Sequence, residues 1–402
     1  MKHALDTSND AMRQSKRSTR NAKIIEAVNY SKPISGLTHK YYRYPASFPP
    51  EFAREIILNF SVEDDFVYDP FMGGGTSIVE ALALGRKAIG TDINDLAVFV
   101  TKVKTTPLSS NDCDAIMHWL DELDLHDSNN QVEEPSDPRL KNVPEDMLPP
   151  LLYSSEKVGE LPLPRQRSFA RCLLLNVWQW ELDNGKRSHS VDEITRKLRK
   201  QATEMISGLD DLTVAAQERN IHKNALTGRR ALFLGAAGET IHKNTSKILR
   251  DAKPKLVLTS PPYPGVHVLY HRWQIDGRKE TPAPYWIANL QDSNNAAYYT
   301  MGGRSSKGIG LYFKNVTDKF TEMKSAIDPD ALVVQFVAFS KPDSQLDSYL
   351  ASMQYAGYKE LLPLKDSHTD RPFRTVPNRK WYAHLGDNQS ASKEILLFHR
   401  PL

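Results

Sequence analysis

Residues 66–76 read Phe66-Val-Tyr-Asp-Pro-Phe-Met-Gly-Gly-Gly-Thr76, and this stretch decides the fold class. Phe66-Val67-Tyr68 is a short apolar strand, and the run from Ser77 through Leu84 has the composition of a helix. Three glycines between a strand and a helix let the backbone approach a ligand closely at the helix N-terminus. The next apolar run, Lys87-Ala-Ile-Gly90, ends at Thr91-Asp92-Ile93-Asn94. Asp92 lies 23 residues beyond Asp69, about where a nucleotide-binding βαβ unit places the acid that grips ribose hydroxyls. The loop has no G-x-G-x-x-G spacing, which argues against a nicotinamide dehydrogenase. No Lys precedes Thr76 or Ser77, so it is not a Walker A loop either.

Further along, the buried-strand pattern Leu256-Val-Leu-Thr259 runs into Ser260-Pro261-Pro262-Tyr263. Proline fixes φ and lacks a donor, so this corner is stiff and its carbonyls are free to accept. A hydroxyl stands before the corner and an aromatic ring after it. Such a site suits a planar base carrying an exocyclic amino group. Upstream lies a third segment, His39-Lys-Tyr-Tyr-Arg-Tyr-Pro-Ala-Ser-Phe-Pro-Pro50, followed by a helical run from Glu51 to Leu58.

Together these motifs resemble the amino-group DNA methyltransferases, which move a methyl group from S-adenosylmethionine to N4 of cytosine or N6 of adenine. Asp69-Pro-Phe-Met-Gly-Gly-Gly-Thr76 is similar to the family's cofactor loop, and Ser260-Pro-Pro-Tyr263 to its catalytic loop. The segment around Tyr44 and Phe48 is similar to the part that packs beside the methionine end of the cofactor. The order, the Tyr44 segment, then the cofactor loop, then the catalytic loop, corresponds to one of the family's permuted arrangements. The resemblance covers roughly residues 37–105 and 229–400.

It implies a Rossmann-like α/β sheet, mostly parallel, with one antiparallel strand near the C-terminus. It also implies S-adenosylmethionine as cofactor, held by Tyr44, Phe48, Asp69, Pro70, Phe71, Gly73, Gly75, Thr76, Asp92, Ile93 and Asn94. Ser260, Pro261, Pro262 and Tyr263 would act on the base, with Tyr263 stacking on it after it leaves the duplex. Ser at the first catalytic position leans towards cytosine N4, where Asp leans towards adenine N6. Physically, a Ser hydroxyl accepts from an amino group or donates to a ring nitrogen such as cytosine N3. One departure stands out. After the strand Arg230-Ala-Leu-Phe-Leu-Gly235 the family often has an Asp, and here Ala236 and Ala237 follow, the nearest acid being Glu239.

Composition sets the bounds. The chain has 402 residues, 25% charged and 40% hydrophobic, an ordinary globular mix. No apolar stretch approaches the length of a membrane span and the N-terminus lacks a signal-peptide core, so the expected location is the cytoplasm. Cys113 and Cys172 offer neither a disulfide framework nor a zinc spacing. Neither follows a proline, which excludes the thiolate chemistry of cytosine C5 methylation. His267 and His271 stand at i and i+4 without companion ligands, and no metal is expected.

The net charge of +3 is only weakly basic. Residues 11–23 carry Arg13, Lys16, Arg17, Arg20 and Lys23 without an acid, so residues 1–30 read as a flexible basic arm able to follow phosphates. Residues 31–105 and 229–402 form the expected catalytic domain. Between them, residues 106–228 read as a mainly helical insertion and a possible target-recognition region. Residues 121–148 are an acidic loop, and a helix is expected from Arg165 to Asp183. Another starts at the capping box Ser190-Val-Asp-Glu193 and carries Ile194, Leu198, Ala202, Met205, Leu209 and Leu212 on one face. Arg196 and Lys200 on its other face, with Arg272, Trp273, Arg278 and Lys279 beyond the catalytic loop, are the candidate contacts to duplex DNA. A long apolar strand is expected over residues 331–339, then a final antiparallel pair at Tyr358–Leu364 and Glu394–Phe398.

Four function classes remain on these grounds: a cytosine-N4 enzyme, an adenine-N6 enzyme, an RNA amino-group methyltransferase and an idle DNA-binding subunit of a defence complex. A cognate restriction or defence partner fits the DNA-directed readings. Target sequence and oligomeric state are not readable.

Overall fold

A computed structural model describes residue 15 and residues 17–44, 47–130, 137–183, 189–236, 253–264, 273–275, 279–291, 301–303, 305–339, 341–364, 371–375 and 393–402. The glycine-rich stretch lies where its sequence puts it, between strand β1 (Phe66–Asp69) and the helix Thr76–Ala83. Strand β2 (Lys87–Asp92) pairs with β1 in parallel, and β3 (Arg230–Leu234) extends the sheet on that side. On the other side of β1 comes β4 (Leu256–Thr259), then β7 (Leu332–Ala338), both parallel. Strand β10 (Lys393–Pro401) lies antiparallel between β7 and β8 (Tyr358–Leu361), and the short β9 (Phe373–Thr375) also pairs with β10. The order is β3-β2-β1-β4-β7-β10-β8, and β10 alone runs against the rest. The expected α/β fold, mostly parallel with one reversed strand near the C-terminus, is therefore borne out. A separate hairpin joins β5 (Trp273–Ile275) to β6 (Lys279–Thr281).

Alternation along the strands divides the core into two layers. Val67, Ala88, Leu256, Leu258, Val334 and Phe336 face the helices Pro50–Phe60 and Thr76–Ala83. Tyr68, Ile89, Val257, Val333 and Val337 face the helices Ser306–Lys324 and Pro342–Tyr355. The C-terminal edges of β1, β2 and β4 converge where the strand order reverses, the switch point at which open α/β sheets take ligands.

Helices dominate the described part of residues 106–228, chiefly Ser110–Glu122, Leu148–Lys157, Pro164–Leu182 and Val191–Gln217. The capping box forms as read: Ser190 Oγ accepts from the Glu193 amide while the Glu193 carboxylate accepts from the Ser190 amide at 2.9 Å. Ile194, Leu198, Ala202, Met205, Leu209 and Leu212 are all buried. The N-terminal reading needs correcting. Residues 17–28 are helical, with Ile24, Ala27 and Val28 buried in the core, so the described part of the expected arm is docked. Asn21 reinforces this by donating to the Pro363 carbonyl at 3.2 Å.

Candidate active site

Asp69 ends β1 and is almost fully buried. Its carboxylate accepts from the Phe71 amide at 3.1 Å, from Thr259 Oγ1 at 2.7 Å and from Ser77 Oγ. Burial pushes its pKa up to about 6 in spite of these donors. Asp69 thus clamps the start of the loop, the first turn of the next helix and the end of β4. Its role is to fix the loop, because its oxygens are taken by protein donors.

Asp92 ends β2. One oxygen accepts from the Gly73 amide and the other from the Asn94 amide, each at 2.9 Å. Burial again dominates and raises its pKa to about 6. A carboxylate offers about four lone-pair sites, so Asp92 retains capacity for a vicinal diol. Asn94 then caps the helix Asp95–Lys104 by accepting from the Leu96 amide, and its side-chain amide donates to Tyr285 Oη at 3.1 Å. Ile93 is half-buried beside them. The Asp92 carbonyl accepts from the Gly235 amide at 2.8 Å, and Ala236 follows directly. Ala237 and Glu239 lie outside the described residues.

The glycines are required by close approach. Gly73 has φ +46°, and a Cβ there would sit 2.7 Å from Tyr44 Cε1. Gly75 has φ +72°, and its Cβ would sit 2.5 Å from Thr101 Oγ1. The Tyr44 ring therefore lies against the loop. Phe48 does not join it. It is buried against Phe52, 5.8 Å between centroids, and supports the site from the core. Pro70 is buried and Phe71 half-buried behind the loop, while Thr76 opens the helix.

Sequence reading missed Lys104. Its ammonium is buried and donates to the Gly74 carbonyl at 2.6 Å, with its pKa pushed down to about 8 by burial. A lysine in the last turn of a helix ordinarily reads as a dipole partner in water. His39, also buried, sits 2.7 Å from Glu80, which accepts from Arg54 as well. A cavity of about 360 Å³ opens between this group and the insertion, lined by Tyr44, Gly74, Thr76 and Lys104 on one side and Lys197 and Gln201 on the other. The insertion thus forms one wall of a cavity whose other wall is the glycine-rich loop.

Ser260 follows β4 at the switch point, half-buried, between buried Thr259 and buried Pro261. Pro262 is half-buried. Tyr263 differs from expectation: it is only 6% exposed, so its ring is not an open stacking face in this conformation. Its hydroxyl donates to Glu394 Oε1 at 2.7 Å and lies 2.9 Å from Ser260 Oγ. Glu394 was not singled out in the sequence because it reads as an ordinary strand-edge acid.

The expected DNA contacts separate. Trp273 is buried and donates from Nε1 to Tyr42 Oη at 3.0 Å, so it packs the core and presents no surface to DNA. Lys279, Arg196 and Lys200 are exposed. Neighbouring charges are partly used: Arg199 pairs with Asp121 and Lys197 lies over Trp180. Arg272, Arg278, His267 and His271 lie outside the described residues. Among the described residues, no helix is long and apolar enough to cross a membrane, and Cys113 and Cys172 are free.

Comparison with known proteins bears out the resemblance read from the motifs. The family described as DNA methylase matches residues 2–102. The type II methyltransferase M.MvaI of Kocuria varians is 51% identical over 75 residues, 18% of this chain and 16% of its own length. The orphan methyltransferase M.BamHII of Bacillus amyloliquefaciens is 47% identical over 53 residues, 13% of this chain and 20% of its own. The type II methyltransferase M.MjaI of Methanocaldococcus jannaschii is 47% identical over 58 residues, 14% of this chain and 19% of its own. The matched stretches thus span a fifth or less of these relatives. S-adenosylmethionine is the cofactor that this kinship implies.

Proposed function

We propose that this chain transfers a methyl group from S-adenosylmethionine to the exocyclic N4 of a cytosine extruded from duplex DNA. One observation carries the reading: Thr259, directly before Ser260, donates to Asp69, which opens the glycine-rich loop. The two motifs that the resemblance assigns to cofactor and base therefore share one buried contact. On this reading residues 31–105 and 229–402 are the catalytic domain, and residues 106–228 an insertion that helps to recognise the target.

S-adenosylmethionine would supply the electrophilic methyl group: as the N–C bond forms the S–C bond breaks, S-adenosylhomocysteine leaves, and the methylated nitrogen releases one proton to water. Asp92 would hold the ribose diol through its remaining lone pairs, and Ile93 would pack against the adenine. The exocyclic nitrogen of cytosine is a weak nucleophile because its lone pair is delocalised into the ring. Hydrogen bonds from that amino group to Ser260 and to the Pro261 carbonyl favour a more tetrahedral nitrogen. Holding it in line with the methyl group supplies much of the acceleration, on the order of 7–11 kcal/mol at best. Extrusion of the base costs a few kcal/mol, offset by contacts to the protein.

The Ser at position 260 supports cytosine over adenine, and the match to the DNA methylase family supports DNA over RNA. The test is incorporation of labelled methyl from S-adenosylmethionine into duplex DNA against structured RNA of matched length. Label in DNA supports the proposal, and label confined to RNA contradicts it. Tight cofactor binding with no label in either identifies an idle binding subunit.

A further inference from the structure

Glu394 stands on β10 opposite Ala338 of β7 and Arg374 of β9, and is 1% exposed. Arg374 Nε donates to its Oε2 at 2.6 Å, and Arg374 Nη2 reaches the Ser47 carbonyl at 3.2 Å. The guanidinium also lies 5.0 Å from the centroid of Phe336, so its position is fixed on two sides. Burying a carboxylate is costly unless it is paired, and Arg374 provides that pairing. The other carboxylate oxygen faces Tyr263.

The directions of these hydrogen bonds follow from the inventory of donors. An ionised carboxylate only accepts, so the single Tyr263 O–H proton goes to Glu394. Ser260 Oγ, 2.9 Å from Tyr263 Oη, must then donate its own proton to the Tyr263 oxygen. Ser260 is left with lone pairs alone to offer a substrate. Resting on the proposed function, we infer that Glu394 is a positioning residue which, through Tyr263, makes Ser260 an obligate acceptor and so selects an exocyclic amino group over a ring carbonyl. A keto base such as uracil or hypoxanthine would bring a second acceptor against Ser260.

Two substitutions act on this polarity in different ways. Tyr263→Phe keeps the ring and removes the relay, so Ser260 can either donate or accept. Glu394→Gln reverses the relay. Arg374 is donor-only, so the amide turns its oxygen to Arg374 and its NH₂ to Tyr263. The Tyr263 proton then points to Ser260, and the Ser260 proton points to the substrate.

The experiment first maps the base that the wild-type chain methylates in mixed-sequence duplex DNA. It then measures binding of two short duplexes, one with that base and one with its keto counterpart at the same position. Comparing the amino-to-keto affinity ratio between variant and wild type cancels the intrinsic difference in extrusion between the duplexes. The expected result is a ratio reduced about tenfold in Tyr263→Phe and further in Glu394→Gln, with S-adenosylmethionine affinity within twofold of wild type. A ratio unchanged in both variants, even if both duplexes bind more weakly, overturns the inference and leaves Glu394 a structural brace. If the wild-type chain methylates no base, the proposed function itself fails and the inference falls with it, an outcome visible before any variant is made.

Discussion

Thr259 donates to Asp69 across the β1–β4 pair at 2.7 Å, joining the last residue before the Ser-Pro-Pro-Tyr corner to the residue that opens the glycine-rich loop. Both partners are buried, so neither replaces the other with water. Thr259→Val keeps the shape and removes the donor. The expected cost is about 1–3 kcal/mol, the range for leaving a buried acceptor short of a partner. Thermal unfolding of the variant checks it. An unchanged melting temperature would mean that Ser77 and the Phe71 amide satisfy Asp69 without Thr259.

The role proposed for Asp92 in holding the ribose implies a pH dependence. Its folded pKa is raised from 3.8 to about 6, chiefly by burial, and a ribose diol donates to the ionised form. Affinity for S-adenosylmethionine should therefore weaken as pH falls through about 6, by roughly tenfold per unit below it. Stability moves the other way. Between 3.8 and about 6 the folded state holds a proton that the unfolded state has released, so wild-type stability declines as pH rises across that window. Asp92→Asn should flatten the affinity trend and lessen the stability trend, the remainder belonging to Asp69, whose pKa burial also raises to about 6. Calorimetric titration of cofactor at pH 5, 6 and 7, with melting temperatures of both proteins, reads them together; a parallel affinity profile in the variant would remove Asp92 from the site.

How much of this was legible depended on whether a residue's surroundings were local. Strands β1 and β2 were readable because their runs end at aspartate, and β4 and β7 because their runs are apolar almost throughout, while the loop between β1 and its helix is continuous in sequence. The amphipathic helix from Val191 was readable from spacing and its capping box. Lys104 was not, because what buries it lies far along the chain. Trp273 was misassigned since a tryptophan among basic residues has the same composition on a surface as in a core, and only its contact with Tyr42 decides. Residues 17–28 were read as an arm because the run of Lys and Arg masks Ile24, Ala27 and Val28, spaced three and one apart. Glu394 stayed hidden because its partners Tyr263 and Arg374 come from different strands or loops.

Gly75→Ala tests whether close approach dictates the loop. The added methyl meets Thr101 Oγ1 at 2.5 Å in a left-handed backbone, which by itself costs about 1–2 kcal/mol. The variant should melt lower and bind S-adenosylmethionine at least tenfold more weakly. Thr101→Ala in the same chain should recover part of the stability by removing the nearest atoms. A double variant no more stable than Gly75→Ala would assign the whole loss to backbone strain.

The exposed face of the insertion helix makes a separate, electrostatic prediction. If Arg196 and Lys200 contact phosphates, changing both to Ala should lower the slope of log affinity against log salt by about 2, near 0.9 per contact. Titrations of duplex DNA at several salt concentrations measure it. An unchanged slope would confine these residues to a solvated face.

The proposed transfer to cytosine N4 rests on a site built on Ser260. Nucleoside mass spectrometry after incubation of the chain with S-adenosylmethionine and mixed-sequence duplex DNA tests it most directly, with Ser260→Ala run in parallel. The account predicts N4-methylcytosine from the wild-type chain and at least a hundredfold less from Ser260→Ala at saturating cofactor, about 3 kcal/mol of transition-state stabilisation. N6-methyladenine in place of N4-methylcytosine, or equal yields from the two proteins, would contradict it.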